Sequence, residues 1–177
     1  MMSRRRFLAC SLFLPALAWL AAWRPARGHG AGPALVAMRG TARGERVWFE
    51  PAGLWIPQGA TVRFVNEDAV NVHTATAFHP DLHGRERRIP AGAPPWTSEL
   101  LLPGEHYDVV LDQPGVYDYY CLPHAAHGMV GRIVVGTPED AQWTHESYYQ
   151  STRTNGMPGT FPELNGVLAT RSRHASG

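Results

Sequence analysis

From Ala34 to Val135 the chain alternates short apolar runs with turn residues at intervals of about 8–12, and helical periodicity is missing from that stretch. Ala34–Arg39 reads as a first strand. Arg46–Phe49 and Leu54–Ile56 follow on either side of Pro51-Ala52-Gly53, and Pro57-Gln58-Gly59 makes the next turn. Thr61–Asn66 sets Val62 and Phe64 against Thr61 and Arg63, the period-two pattern of a half-buried strand. Val72–Phe78 is β-branched and small, as a fully buried strand would be. His106–Leu111, Val116–Cys121 and Gly131–Val135 complete the set. Such a series of strands predicts an all-β sandwich or barrel.

Two segments depart from this rhythm. Between Phe78 and Ser98 lie four prolines and the run Arg85-Glu86-Arg87-Arg88. That stretch is too long for a hairpin and is expected to form a surface excursion, with its arginines on a solvated face that could steer an acidic partner. After Gly136, Pro138–Gln150 is expected to form a short helix whose Trp143, Tyr148 and Tyr149 lie back on the sandwich, and 151–177 is expected to be loosely ordered. No internal repeat is visible.

The first 28 residues read as an address. A basic Met1–Arg6 precedes the uncharged apolar run Phe7–Trp23, and a small-x-small site follows at Ala26-Arg27-Gly28. Ser3-Arg4-Arg5-Arg6-Phe7-Leu8 resembles the twin-arginine export motif, with Ala9 where that motif often has Lys. Pro15 interrupts the apolar run, which at seventeen residues is at the short limit for a membrane span, so cleavage is favoured over a retained anchor. The expected organisation is a signal at 1–28, one domain at 29–136 and an extension at 137–177, in an exported or periplasmic protein.

Composition then narrows the function. The chain has 177 residues, 44% of them hydrophobic and 18% charged, with 15 prolines and 18 glycines, which suits one packed domain rich in turns. All 16 basic residues are arginines. Five of them precede residue 29, leaving eleven against fifteen acidic residues, a net charge of −4, which argues against nucleic-acid binding. Loss of the leader also removes Cys10, making Cys121 the only thiol. An unpaired thiol in an oxidising compartment is unusual, and points to a buried inert side chain, an intermolecular bond or a thiolate held by a ligand.

Its neighbours decide. Tyr120-Cys121-Leu122-Pro123-His124-Ala125-Ala126-His127-Gly128-Met129-Val130-Gly131 offers a thiol, an imidazole three positions on and a thioether five beyond that. Soft sulfur with imidazole suits copper, and two His, one Cys and a weak axial Met make up a blue-copper electron-transfer site. A strand ending at Cys121, a turn through Pro123 and Gly128, and a strand starting near Val130 allow three side chains to point at one centre. Pro123 has no N–H to give the Cys121 sulfur, and hydrogen bonding there tunes the redox potential. The remaining imidazole is expected from His73, in the apolar run Val72–Ala77, where no other partner is obvious.

These residues resemble the plastocyanin and pseudoazurin family of small cupredoxins. The loop carries that family's C-x2-H-x4-M pattern, Gly115-Val116-Tyr117-Asp118-Tyr119-Tyr120 resembles the strand that precedes it, and Val65-Asn66 followed by His73 resembles the first-ligand strand, over about 34–136. The resemblance implies a Greek-key β-sandwich with one type 1 copper on His73, Cys121, His124 and Met129. It further implies a one-electron carrier whose redox partners dock transiently at His124, inside an apolar rim of Leu122, Pro123, Ala125 and Ala126. Two departures stand out. Thr74 occupies a position often held by Asn, and its hydroxyl can make a similar tie. His127 falls where amicyanin-like loops place their axial Met, so a Cys121–His124–His127 arrangement stays open beside the favoured Met129.

The expected carrier is a non-enzymatic monomer with no stable membrane insertion once the signal is cleaved. The alternatives are a periplasmic copper-delivery protein, a subunit of a copper enzyme and a structural zinc site, the last disfavoured by Met129. His79 with His83, or His29 at a new N-terminus, offers only fragments of a second site. His106, His145 and His174 carry no signal.

Overall fold

The structure is a computed structural model that describes residues 32–140, 143 and 158–171. The leader at 1–28 and His29 lie outside the described residues, as do most of the helix expected over 138–150 and its Tyr148 and Tyr149.

Among the described residues, eight strands form two four-stranded sheets. β1 (Ala34–Gly40), β2 (Val47–Glu50), β4 (Ala60–Asn66) and β6 (His106–Leu111) make one sheet in the order β2-β1-β4-β6. β3 (Gly53–Ile56), β5 (Thr76–Ala77), β7 (Gly115–Tyr120) and β8 (Val130–Val135) make the other in the order β3-β8-β7-β5. The chain crosses between sheets after β2, β3, β4, β5 and β6, and β1 with β4 and β3 with β8 are parallel pairs among antiparallel ones. This is the expected Greek-key sandwich.

The period-two pattern produces the core. Val36 and Met38 of β1, Phe49 of β2 and Val62 and Phe64 of β4 point inward from the first sheet, meeting Leu54, Ile56, Tyr117, Tyr119 and Ile133 from the second. Tyr119 lies at the centre, with its ring centroid 4.7 Å from that of Phe49 and 5.1 Å from that of Phe64, both edge-on.

Val72–Phe78 departs from the expected continuous strand, since only Thr76–Ala77 joins the ladder and His73 makes an isolated bridge to Leu101. The reason lies in where its N–H groups go. Thr74 gives its N–H to the Cys121 sulfur (3.4 Å) and Ala75 gives its own to Ser98 Oγ (2.9 Å), so side chains replace the carbonyls of a neighbouring strand.

The 78–98 excursion also differs from expectation. Arg88, Ile89, Ala93 and Trp96 are buried, so this segment closes the side of the sandwich instead of lying on its surface. Arg88 leaves the solvated face for an ionic cluster. Arg88 Nε and Arg132 Nε donate to opposite oxygens of the Asp118 carboxylate at 2.8 and 2.7 Å, with all three side chains almost fully enclosed. Asp118 and Arg132 face each other in the β7–β8 register, pointing away from the core.

The chain downstream of β8 covers that outer face. A five-residue helix, α1 (Leu164–Leu168), sits on β3 and β8 with Leu164 and Val167 buried against Val116 and Val134. Phe161 is buried as well, so three side chains of a stretch expected to be loosely ordered, Phe161, Leu164 and Val167, pack on the sandwich. Every residue of β7 and β8 is therefore buried, whichever face it occupies.

Removing one member of an enclosed charge cluster strands the others. Asp118→Ala, which leaves two guanidinium groups without their carboxylate, is expected to destabilise the fold by about 3–5 kcal/mol, measured by denaturant unfolding.

Candidate metal centre

The end of β7 and the segment after β4 bring the predicted donors together. Cys121 follows β7 directly. The chain then turns back, with His124 N–H donating to Cys121 O (3.2 Å), and makes a single 3-10 turn at Ala125–His127. Gly128 leaves that turn at φ 77, a left-handed conformation that a side chain disfavours. Met129 returns opposite Cys121, whose N–H donates to Met129 O at 3.0 Å. The loop thus presents Cys121, His124 and Met129 from one closed turn.

His73 comes from 48 residues earlier. Its Nδ1 lies 3.6 Å from the Cys121 sulfur, and His124 Nδ1 lies 3.3 Å from the same atom. The three donor atoms are all within 4.8 Å of one another, and they form the one such cluster of three or more His, Cys, Asp or Glu among the described residues. A first-row ion with metal–sulfur and metal–nitrogen bonds near 2.3 and 2.0 Å in tetrahedral array would hold S and N about 3.5 Å apart. The donor spacing fits such an ion.

Buried Asp68, which the sequence did not single out, orients His73. Its carboxylate oxygen Oδ2 is 3.0 Å from His73 Nε2. An ionised carboxylate can only accept, so Nε2 carries the proton and Nδ1 turns its lone pair to the sulfur. Burial would push the Asp68 carboxyl up. Hydrogen bonds from the Asn71 side chain, the Val70 N–H and His73 outweigh it and bring the pKa down to about 2. Asn66 supports the arrangement. Its side chain accepts the Asp68 N–H (2.9 Å) and donates to Leu101 O (2.8 Å), and Leu101 in turn pairs with the His73 backbone. Gly40, at the end of β1, has no Cβ because the Asp68 carboxylate occupies that space. The available signal was a turn-rich Asn66-Glu67-Asp68 ahead of His73. Spacing alone does not separate Asp68 from Glu67, which reaches the surface arginine Arg39.

Thr74 ties the two ligand segments in the manner expected. Its N–H points at the Cys121 sulfur, and its hydroxyl accepts the Leu122 N–H at 2.8 Å. Burial pushes the Cys121 thiol up, against the Thr74 N–H, which favours the thiolate. Burial and the neighbouring His73 push His124 down, favouring the neutral imidazole that a metal requires.

Met129 is fully buried, whereas His127 is exposed with its ring centroid 6.1 Å from that of His124. Around His124, Leu122, Pro123 and Ala126 are exposed as expected, but Ala125 is buried and leaves the rim. His79 and His83 do not converge. The buried His79 accepts the Asp81 N–H through Nδ1, and His83 faces solvent.

A β-sandwich that gathers one buried thiol and two imidazoles at a strand end defines a type 1 copper protein, with copper as its cofactor. The chain belongs to the plastocyanin/azurin family of copper binding proteins, whose model matches residues 36–136. It is 40% identical over 91 residues to the chloroplastic plastocyanin of Chlamydomonas reinhardtii, covering 49% of this chain and 57% of that one. Against the plastocyanin of Solanum crispum the identity is 33% over 93 residues, covering 49% and 86%. The chain spans 51–57% of the length of three of the chloroplastic plastocyanins it matches. The structure of pseudoazurin from Methylobacterium extorquens AM1 shares the fold, with a TM-score of 0.52, 20% identity, and coverage of 81% of this chain and 98% of that one.

Because Asp68 sets the tautomer of His73 through Nε2 and leaves the Nδ1 donor free, Asp68→Asn is expected to weaken copper binding by about 10–100-fold, read by competition with a chelator.

Proposed function

We propose that this protein carries single electrons between redox partners in an exported compartment, with one copper held by His73, Cys121, His124 and Met129. The observation that carries this reading is the donor set: a buried thiol with both imidazole Nδ1 atoms within 3.6 Å, and the His73 segment tied to the Cys121 loop through Thr74. Copper supplies a reversible one-electron change between its two common oxidation states. The chain's part is to hold the donors so that little rearranges between those states. Asp68 fixes His73, Thr74 links the His73 segment to the Cys121 loop, and the Met129 carbonyl closes that loop against Cys121.

Burial favours Met129 over His127 as the residue that would supply the fourth donor, since its thioether lies inside the core at the end of the ligand loop and His127 faces water. The same thioether weighs against structural zinc, which takes Cys or His in its closed sites. His124 is half-buried beside exposed Leu122, Pro123 and Ala126, an apolar edge suited to brief docking of a redox partner by a monomeric carrier. No helix among the described residues is long and apolar enough to cross a membrane. Export rests on the basic-apolar-small pattern of residues 1–28.

Copper-loaded protein is expected to show an intense absorption band toward the red that bleaches on reduction and returns on oxidation. Metal passed stoichiometrically to an acceptor without such cycling would favour delivery, and turnover of oxygen or nitrite would favour an enzyme. In the same spectrum, Cys121→Ser is expected to remove the colour. Met129→Leu is expected to keep it with a shifted potential, and His127→Ala to change little. Loss of the band in His127→Ala would overturn the axial assignment.

A further inference from the structure

The ligand loop has two sides. Cys121, His124 and Met129 project from one, and of the residues between them Leu122, Pro123, Ala126 and His127 are exposed. The other contacts are made by Ala125 and Gly128, and both meet the same segment of chain. Ala125 is buried in a cluster with Phe78, Tyr120, Val130 and Phe161. A Cβ at Gly128 would lie 2.9 Å from Pro158 O, and one at Gly159 would lie 2.8 Å from Gly128 O, so the two backbones touch with no room for a side chain.

That segment is itself anchored. Phe161 lies under the Arg88 guanidinium, 4.5 Å from its ring centroid, and near that of Arg132 at 5.3 Å, while Arg132 Nη1 donates to Pro162 O at 2.7 Å. The Arg88–Asp118–Arg132 cluster therefore forms a platform for Phe161, and Phe161 holds 158–161 against the back of the ligand loop.

We infer that residues 158–161 are a positioning strap for the copper-ligand loop, with Phe161 as its anchor. The loop closes on itself through backbone hydrogen bonds, with His127 N–H and Met129 N–H donating to His124 O and Gly128 N–H to Ala125 O, but as a single 3-10 turn it has no second turn to stiffen it. The back of that turn is braced by a segment some thirty residues downstream, through Gly128 and the cluster around Ala125. The spectroscopic half of this inference rests on the copper reading above, whereas the mechanical half concerns the metal-free chain.

The test compares two truncations in the same extension. Phe161→Ala removes the anchor beside the loop, and Val167→Ala trims α1 at its contact with Val116 and Val134. In metal-free protein, Phe161→Ala is expected to speed amide hydrogen exchange of residues 125–129 on the order of tenfold, while Val167→Ala leaves those amides unchanged. In copper-loaded protein, Phe161→Ala is expected to move the absorption band and the reduction potential, and Val167→Ala to leave both in place whatever it does to Tm. If the two variants affect the loop amides equally, or neither affects them, the strap is refuted and the extension is merely a cover. If the parent takes up no coloured copper but its loop amides still respond to Phe161→Ala, the strap stands and the copper-carrier reading falls.

Discussion

The structure depends on a stitch at Thr74. Its N–H directed at the Cys121 sulfur and its hydroxyl receiving the Leu122 N–H join two segments nearly fifty residues apart at the point where the donors must meet. A donor set drawn from one loop alone would have a thiol, an imidazole and a thioether but lack the imidazole that completes the pair. The stitch brings in His73 and interrupts the strand that would otherwise run through this segment. The irregularity of Val72–Phe78 is thus the local cost of assembling the centre.

Behind the stitch stands a graded set of polar supports. Asn66 holds the Asp68 turn, Asp68 holds His73, and Leu101 pairs with the His73 backbone. Each buried polar group here has a partner, which the low dielectric of the interior demands and which also rigidifies the ring. Burial opposes the charged thiolate of Cys121 and favours neutral His124. Neutral His124 suits a metal ligand, and a cation beside Cys121 would offset the burial that pushes its thiol up.

The second sheet is protected on both faces. Its inner face packs around Tyr119, and its outer face, carrying Asp118 and Arg132, lies beneath Phe161 and α1. An outward Asp and Arg on adjacent strands would ordinarily meet water. Here they are enclosed with Arg88, and the cluster becomes a fixed part of the packing between sandwich and extension. One ionic cluster thus connects the 78–98 segment, the two central strands and the downstream chain.

Much of this was legible along the chain, because strand alternation and ligand spacing are local properties. Val62 and Phe64 against Thr61 and Arg63 declare an inner and an outer face, and Cys121, His124 and Met129 lie close enough in sequence to be read as one loop. His73 was identifiable as an imidazole in an apolar run. Its carboxylate partner was not, because Asp68 and Glu67 look alike until the fold sends one inward to Gly40 and the other outward to Arg39. Arg88 read as surface charge and Ala125 as part of an exposed rim. Both are buried by segments distant in sequence, and burial depends on what arrives from elsewhere. The amino-acid order determined the sandwich and the chemistry of the metal ligands. Tertiary structure decided which polar groups would be enclosed and which downstream chain would cover the loop, since those outcomes depend on packing between segments that carry no sequence signal of each other.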